Sequence, residues 1–365
     1  MRIKSFAKNH IMVLAAFAAA AVTSVFVPVD SAYIGYFDFK TLTCLFCVLA
    51  VVCALRDVNF FYILACRIVE RFNTTLMCIL ALVYISFVGS MLITNDTALL
   101  TFLPLGYFVL SSTGKERYLT FTFIMQNMAA NLGGMLTPFG NPQNLYLYTK
   151  FSIPAPEFIK IMLPPFLASM LLITLCCVFV KPEPMVIKGE KAQLKKRSTA
   201  LYLALFALSV AIVLRLLPYW VGLAVIPLVL IITDRHALES VDYSLMLTFV
   251  FFFVFAGNMA RIDVVQEFFS GLMDKNTLLF SALSCQVISN VPSAILLSQF
   301  TANYADLLVG VNIGGAGTLI ASLASLITFH EYLRHEPQSA GKFIAEFSAY
   351  NFAFLAVLLI LMSII

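Results

Sequence analysis

Charge is what this 365-residue sequence has least of. Asp, Glu, Lys and Arg make up 12% of it, against about 25% in soluble domains. Hydrophobic residues reach 61% and the mean hydropathy is +0.95. That balance excludes a soluble enzyme, and with it disordered, collagen-like, coiled-coil and disulfide-scaffold chains. Net charge is also small, +4, and the basic residues gather in loops, so the sequence implies no nucleic-acid partner. Catalytic signatures are missing as well. There is no G-x-S-x-G and no H-E-x-x-H, and Asp96 has no second intramembrane carboxylate with which to share a proton. The eight cysteines all lie in or beside apolar stretches. Cys44 and Cys47 form a C-x-x-C inside a helix-length apolar run, without a second pair or a nearby His. They are read as packing residues, with no metal site and no disulfide framework.

What the sequence does have is apolar length. A bilayer core takes about 20 apolar residues per helix, and uncharged runs fall at 11–29, 41–55, 72–95, 97–114, 118–149, 161–180, 198–214, 216–233, 243–260, 276–304, 307–329 and 347–365. Arg2, Lys4 and Lys8 precede the first run, which is too long for a signal-peptide core and reads as an uncleaved span. Run 118–149 is too long for one helix and carries Asn127, Asn131, Gly133, Gly134, Pro138, Gly140, Asn141, Pro142 and Asn144. Runs 276–304 and 307–329 are broken at Ser289-Asn290-Val291-Pro292 and between Asn312 and Gly317. Irregular polar backbone at membrane depth is tolerated only inside protein or along a cavity, so the breaks mark where function is sought.

These runs predict an all-α polytopic membrane protein with two inverted-topology repeats. The first is 1–180, with a hairpin over 73–111 and a broken helix over 118–150. A basic cytoplasmic loop and linker helix cover 181–215. The second repeat is 216–365, with a hairpin over 275–302 turning at Asn290 and a broken helix over 304–329. The arms of that second hairpin, about 14 and 11 residues or about 21 and 16 Å, are too short to span. Lys181, Lys188, Lys191, Lys195, Lys196 and Arg197 place the linker loop in the cytoplasm. The N-terminus, the turn at Lys115 and Arg117, and a 330–342 loop with Arg334 and Lys342 fall on the same side, and the C-terminus outside. His330 and His335 are read as surface residues of that loop, and Arg215 and Lys160 as snorkelling span ends.

The halves match at their least lipid-like positions. Ile93-Thr94-Asn95-Asp96 aligns with Ile288-Ser289-Asn290-Val291, and Asn131 to Asn144 aligns without a gap on Asn312 to Ser325. Inverted repeats with breaks in corresponding places point to a secondary transporter with a midplane site. The segments ITNDTALLTFLPL, NLGGMLTPFGNPQNLYLY, ISNVPSAILLS and NIGGAGTLIASLAS resemble the ion transporter superfamily, the group of arsenite permeases, sodium/proton antiporters and divalent-anion/sodium symporters with citrate-transporter-like domains. The Thr94-Asn95-Asp96 tip is more similar to the arsenite-permease and uncharacterised anion-permease branch. Dicarboxylate symporters carry Ser-Asn-Thr at both tips, a pattern from which this chain departs. The resemblance implies alternating access, in which a hairpin and broken-helix module moves against a scaffold. It also brings a homodimer into view, for which no face is legible.

A hairpin tip puts a helix N-terminus, worth about half a positive charge, near the bilayer middle, where it suits an anion. Asn95 and Asn290 are placed to cap the second arms. With Thr137, Asn141, Asn144, Thr318 and Ser322 they form the candidate substrate site. Thr94, Asp96, Asn131, Gly134, Ser289, Asn312 and Gly315 are the candidates for cation or proton coupling, with Na⁺ positions near Asn95/Gly134 and Asn290/Gly315. No organic cofactor is implied, only bound Na⁺. Asp96, whose counterpart is Val291, is the one midplane acid and a functional residue by default. The leading reading is a transporter of a small carboxylate or oxyanion coupled to Na⁺ or H⁺, not an enzyme. An Na⁺/H⁺ antiporter or arsenite-type efflux permease on the same scaffold is the alternative. The short loops point to a prokaryotic cytoplasmic membrane.

Overall fold

A computed structural model describes residues 11–185 and 194–365. Arg2, Lys4, Lys8, Lys188 and Lys191, used above for orientation, lie outside the described residues. The rest is helical, and among the described residues the one β feature is an isolated bridge between Thr74 and Pro184. The chain opens with α1 (Ile11–Phe26), α2 (Phe39–Asp57) and a short α3 (Phe60–Val69). A hairpin follows, α4 (Thr75–Ile93) and α5 (Asn95–Ser112), and then an interrupted helix, α6 (Leu119–Gly133) and α7 (Pro142–Lys150). Next come α8 (Ala155–Val178), α9 (Lys196–Val213), α10 (Tyr219–Thr233), a short α11 (Arg235–Glu239) and α12 (Tyr243–Met259). The second hairpin is α13 (Asp263–Ile288) and α14 (Asn290–Leu297). The second interrupted helix is α15 (Tyr304–Ile313) and α16 (Leu323–His335), and α17 (Ala340–Ile364) is last.

Among the described residues, six helical stretches are long and apolar enough to cross a bilayer: Phe39–Asp57, Thr75–Ile93, Ala155–Val178, Lys196–Val213, Arg235–Met259 and Pro337–Ile364. Capping explains where several helices begin. The Asp38 carboxylate accepts from Thr41 N–H at 2.9 Å, Asp242 from Leu245 N–H at 3.0 Å, and Asn303 from Asp306 N–H at 3.2 Å, which fills donors the first turn leaves open. α13 is two pieces. Asn276 leaves the helical region at φ −166°, ψ 90°, and its side chain accepts from Leu279 N–H at 2.8 Å, so a new helix starts there. The second hairpin therefore has arms of about 12 and 8 residues, or about 18 and 12 Å.

Two boundaries differ from the sequence reading. The second hairpin turns at Ser289, where φ is positive, rather than at Asn290. α16 runs on to His335, so His330 and His335 sit on a helix rather than in a loop. His335 stacks on the Tyr107 ring at 3.5 Å, a contact between α16 and α5 that a single helix period cannot foretell.

The packing is reciprocal. α4 lies on α6 and α13 on α15, so each hairpin's first arm meets the pre-break helix of its own half. Each second arm packs there too and also crosses over, α5 onto α16 and α14 onto α7. α2, one of the most buried helices, carries α9 and α10. The α4–α6 contact is close enough to need Gly133, because a Cβ there would stand 2.3 Å from the Phe87 carbonyl oxygen. The basic loops gather at one end. Glu183, after α8, pairs with both Lys115 and Arg117, and Thr75 N–H donates to the Glu183 carbonyl at 2.9 Å. The Lys115 hydrogen bond, helped by Arg117, holds the Glu183 carboxyl below the usual carboxylate range.

Two outcomes follow for stability. Gly133→Ala, an overpacking change against backbone, costs about 1–3 kcal/mol and lowers the Tm in detergent, whereas Gly271→Ala, in a helix with nothing within 4 Å of its Cβ, raises it slightly because alanine is the better helix former. A depressed folded pKa gives stability that is present above the unfolded value and lost as pH falls through the folded one. The Tm difference between the parent chain and Glu183→Gln is thus constant from neutral pH down to the ordinary carboxylate range and vanishes below it.

Candidate functional site

The site is built from two hairpin tips and two helix breaks. Thr94 and Ser289 hold nearly the same unusual backbone, φ 68°, ψ 151° and φ 74°, ψ 160°. That region favours glycine and costs about 1–3 kcal/mol for other residues, so the surroundings must enforce it. Matching bonds do so. Asn95 N–H donates to the Gly140 carbonyl at 3.2 Å, and Asn290 N–H to the Ala321 carbonyl at 2.9 Å. Thr137 Oγ1 donates to the Met91 carbonyl at 2.7 Å, and Thr318 Oγ1 to the Gln286 carbonyl at 3.1 Å. In both halves the tip hangs on its own break at equivalent positions.

The unwound stretches free backbone carbonyls, which must find donors inside the protein. Asn144 Nδ2 donates to the carbonyls of Gly134, Met135 and Thr137 at 3.3, 3.1 and 3.2 Å. In the second half Gln286 does this work. Its Nε2 donates to the Gly314 and Ala316 carbonyls at 2.8 and 3.1 Å, and its Oε1 accepts from Thr318 N–H at 2.9 Å. Gly317 sits at φ +127°, and a Cβ there would strike Gln286 Oε1.

The two breaks are then tied to each other. Asn131 Oδ1 accepts from Asn95 Nδ2 at 3.0 Å and from Ser322 Oγ at 2.9 Å. Asn312 Oδ1 accepts from Asn141 Nδ2 at 3.1 Å and Gln143 Nε2 at 3.3 Å, while Asn312 Nδ2 donates to Asn144 Oδ1 at 2.6 Å. Asn131 thus reaches Ser322, and Asn312 reaches Asn141, which Ser322 matches in the alignment. Asn127 adds a further crossing, accepting from Thr328 Oγ1 at 3.1 Å.

Around this network lies a cavity of about 640 Å³. Four helix N-termini border it: Asn95 and Asp96 of α5, Pro142 and Gln143 of α7, Asn290 and Val291 of α14, and Ser322 and Leu323 at α16. Asp242 and His330, both exposed, also line it, on the side of Arg334 and the basic loops. No Lys or Arg is among its described lining residues. The positive potential that the lining itself supplies comes from helix termini.

The sequence-derived residues fall into two groups. Asn95, Asp96, Ser289, Asn290 and Ser322 line the cavity. Asn131, Asn141, Asn144 and Asn312 stand behind it in the buried amide network, with Gly134 and Gly315 beside them. Thr94 shapes the tip, its hydroxyl donating to Thr97 Oγ1 at 3.1 Å. Thr137 and Thr318 turn away, their hydroxyls bound to hairpin carbonyls. Sequence reasoning passed over Gln143, Gln286 and Asp242 and set His330 aside. Gln143 is next to a proline in a recognised break, a signal that was present.

The family model described as "Citrate transporter" matches residues 5–323. The chain belongs to this citrate transporter family. It is 32% identical over 292 residues to the "Uncharacterized transporter MJ0456" of Methanocaldococcus jannaschii, covering 80% of each chain. It is also 29% identical over 275 residues to the "Inner membrane protein YbiR" of Escherichia coli, covering 74% of this chain and 73% of that one. This citrate transporter family member is a multi-pass membrane transporter.

The amide network makes its own prediction. Asn312→Ala leaves Gln143 Nε2 and Asn144 Oδ1 without this partner and takes one of two acceptors from Asn141 Nδ2, at about 1–3 kcal/mol per buried group left unsatisfied. It lowers the Tm in detergent far more than Ser325→Ala, which removes one 3.4 Å contact with Asn127.

Proposed function

We propose that this chain moves a small anion, a carboxylate or an oxyanion, across the membrane by alternating access, coupled to Na⁺ or H⁺. The observation that carries this reading is the convergence of four helix N-termini on one cavity. Each brings the partial positive charge of a helix N-terminus to the space an anion would occupy, and the volume suits a small solute. The reciprocal hairpins and breaks support a pair of inverted repeats, 1–180 and 216–365, joined through 181–215. In such repeats the hairpin and broken-helix module rocks against the remaining helices. Basic residues gathered at one end support a cytoplasmic N-terminus and an external C-terminus.

Na⁺ near Asn95/Gly134 has oxygen ligands in reach. A Cβ on Gly134 would stand 2.5 Å from Asn141 Oδ1 and 3.0 Å from the Gly140 carbonyl, and Asn141 Oδ1 is buried without a donor. The position near Asn290/Gly315 fits a cation less well, because a Cβ on Gly315 would stand 3.4 Å from the Asn290 amide nitrogen.

Purified protein in proteoliposomes, given labelled citrate, succinate, phosphate, sulfate and arsenite under an imposed Na⁺ or pH gradient, tests the proposal. One of these accumulates only with the gradient, and Asn290→Ala lowers its uptake about tenfold, the loss of a hydrogen bond to charge. Exchange of Na⁺ for H⁺ with no anion moving would replace this reading with the antiporter on the same scaffold, which the carboxylate of Asp96 at the hairpin tip favours.

A further inference from the structure

The two halves differ where they meet the cavity. Asn290 Oδ1 is satisfied, accepting from Val291 N–H at 2.9 Å and Ser289 Oγ at 3.3 Å. Its counterpart Asn95 Oδ1 is buried with no donor, and so are Asp96 Oδ1 and Gln143 Oε1. Asn95 and Gln143 are 2% and 1% exposed, and all three residues line the one cavity. In the second half the positions of Asp96 and Gln143 hold Val291 and Ala324, which carry no side-chain oxygen. Three unsatisfied acceptors therefore belong to first-half residues that line the cavity, while the matching second-half positions carry none.

Buried acceptors left bare are costly, and their chemistry names what satisfies them. A proton on Asp96 gives one O–H donor and so serves one neighbouring oxygen. A hard cation serves a carboxylate oxygen and two amide oxygens at once, the donor set such ions prefer. The single carboxylate balances a single positive charge. No Lys or Arg on the described lining residues competes for Asp96, and the other carboxylate of the cavity, Asp242, is occupied in capping α12 and stands at the exposed mouth beside His330.

We infer that Asp96 Oδ1, Gln143 Oε1 and Asn95 Oδ1 form a monovalent cation site, for Na⁺, on the first-half wall of the cavity. The bound ion is the counter-charge beside which the anion sits, facing the second hairpin. This inference rests on the transport reading above and adds to it a named ion, a new ligand in Gln143 and a division of labour between the halves. The site lies on the cavity side of the tip, whereas the Gly134 position lies behind it in the break.

Direct binding of ²²Na⁺ to the full chain in lipid nanodiscs, with no anion present, tests the site separately from transport. The parent chain binds, and Asp96→Asn and Gln143→Leu each weaken binding about tenfold or more, while Asp96→Glu, which keeps the carboxylate, restores binding to within about threefold of the parent. Each variant is first shown to keep the parent's elution profile in detergent. Unchanged ²²Na⁺ affinity in both Asp96→Asn and Gln143→Leu overturns the inference and leaves the anion-uptake reading standing. Absence of Na⁺ binding in the parent, with uptake that follows pH alone, overturns it in favour of a proton. Na⁺ binding lost in the variants, with no anion transported by the parent, keeps the cation site and overturns the anion reading.

Discussion

Backbone freed from a helix at membrane depth must be satisfied by the protein itself, and the arrangement of this chain follows from meeting that demand twice. Each break exposes carbonyls between Gly134 and Gly140 or between Gly314 and Ala321. Each is closed by an amide side chain, Asn144 in one half and Gln286 in the other. Asn131 and Asn312 then carry the solution across the centre, each bonding to the break of the opposite half. Amides suit this task because one side chain both donates and accepts, so a chain of them can run through a dry interior without burying net charge.

The same bonds explain how unfavourable tips persist. Thr94 and Ser289 occupy a backbone region that disfavours side chains, and each is held there by a peptide N–H on a break carbonyl and a threonine hydroxyl on a hairpin carbonyl. The strain has a use. A single residue reverses the chain and starts a helix at once, so the N-termini of α5 and α14 face the same space as those of α7 and α16. Four helix N-termini thereby border one cavity without Lys or Arg on its described lining residues, and Asp96 stands there as a carboxylate with an unsatisfied oxygen.

Much of this was legible in the sequence, for a physical reason. Gly, Pro and Asn inside apolar runs are expensive in lipid, so Asn95, Asn131, Asn290 and Asn312 stood out, as did both breaks and the all-helical membrane fold. What stayed hidden depends on contacts between distant parts of the chain. Thr137 and Thr318 could be placed in the breaks, yet their hydroxyl directions depend on Met91 and Gln286, which lie in other helices. Gln143 was masked because the repeat frame gives weight to shared residues, and its counterpart is Ala324. His330 looked like loop surface because charged and polar residues follow it, although α16 continues past it and carries it to the cavity. Asp242 was passed over because it lies just outside an uncharged run, where it caps α12.

The central claim is that the solute passes through the space between the two tips. The most direct measurement uses a chain whose eight cysteines are replaced and a single cysteine is introduced by Val291→Cys, at a half-buried position lining the cavity. Modification by a water-soluble, membrane-impermeant thiol reagent is compared with its effect on gradient-driven uptake in proteoliposomes. The account predicts that modification at 291 proceeds and stops uptake, while the same treatment of Val287→Cys, on the exposed flank of α13, leaves uptake intact. Full modification at 291 with unimpaired uptake would contradict it.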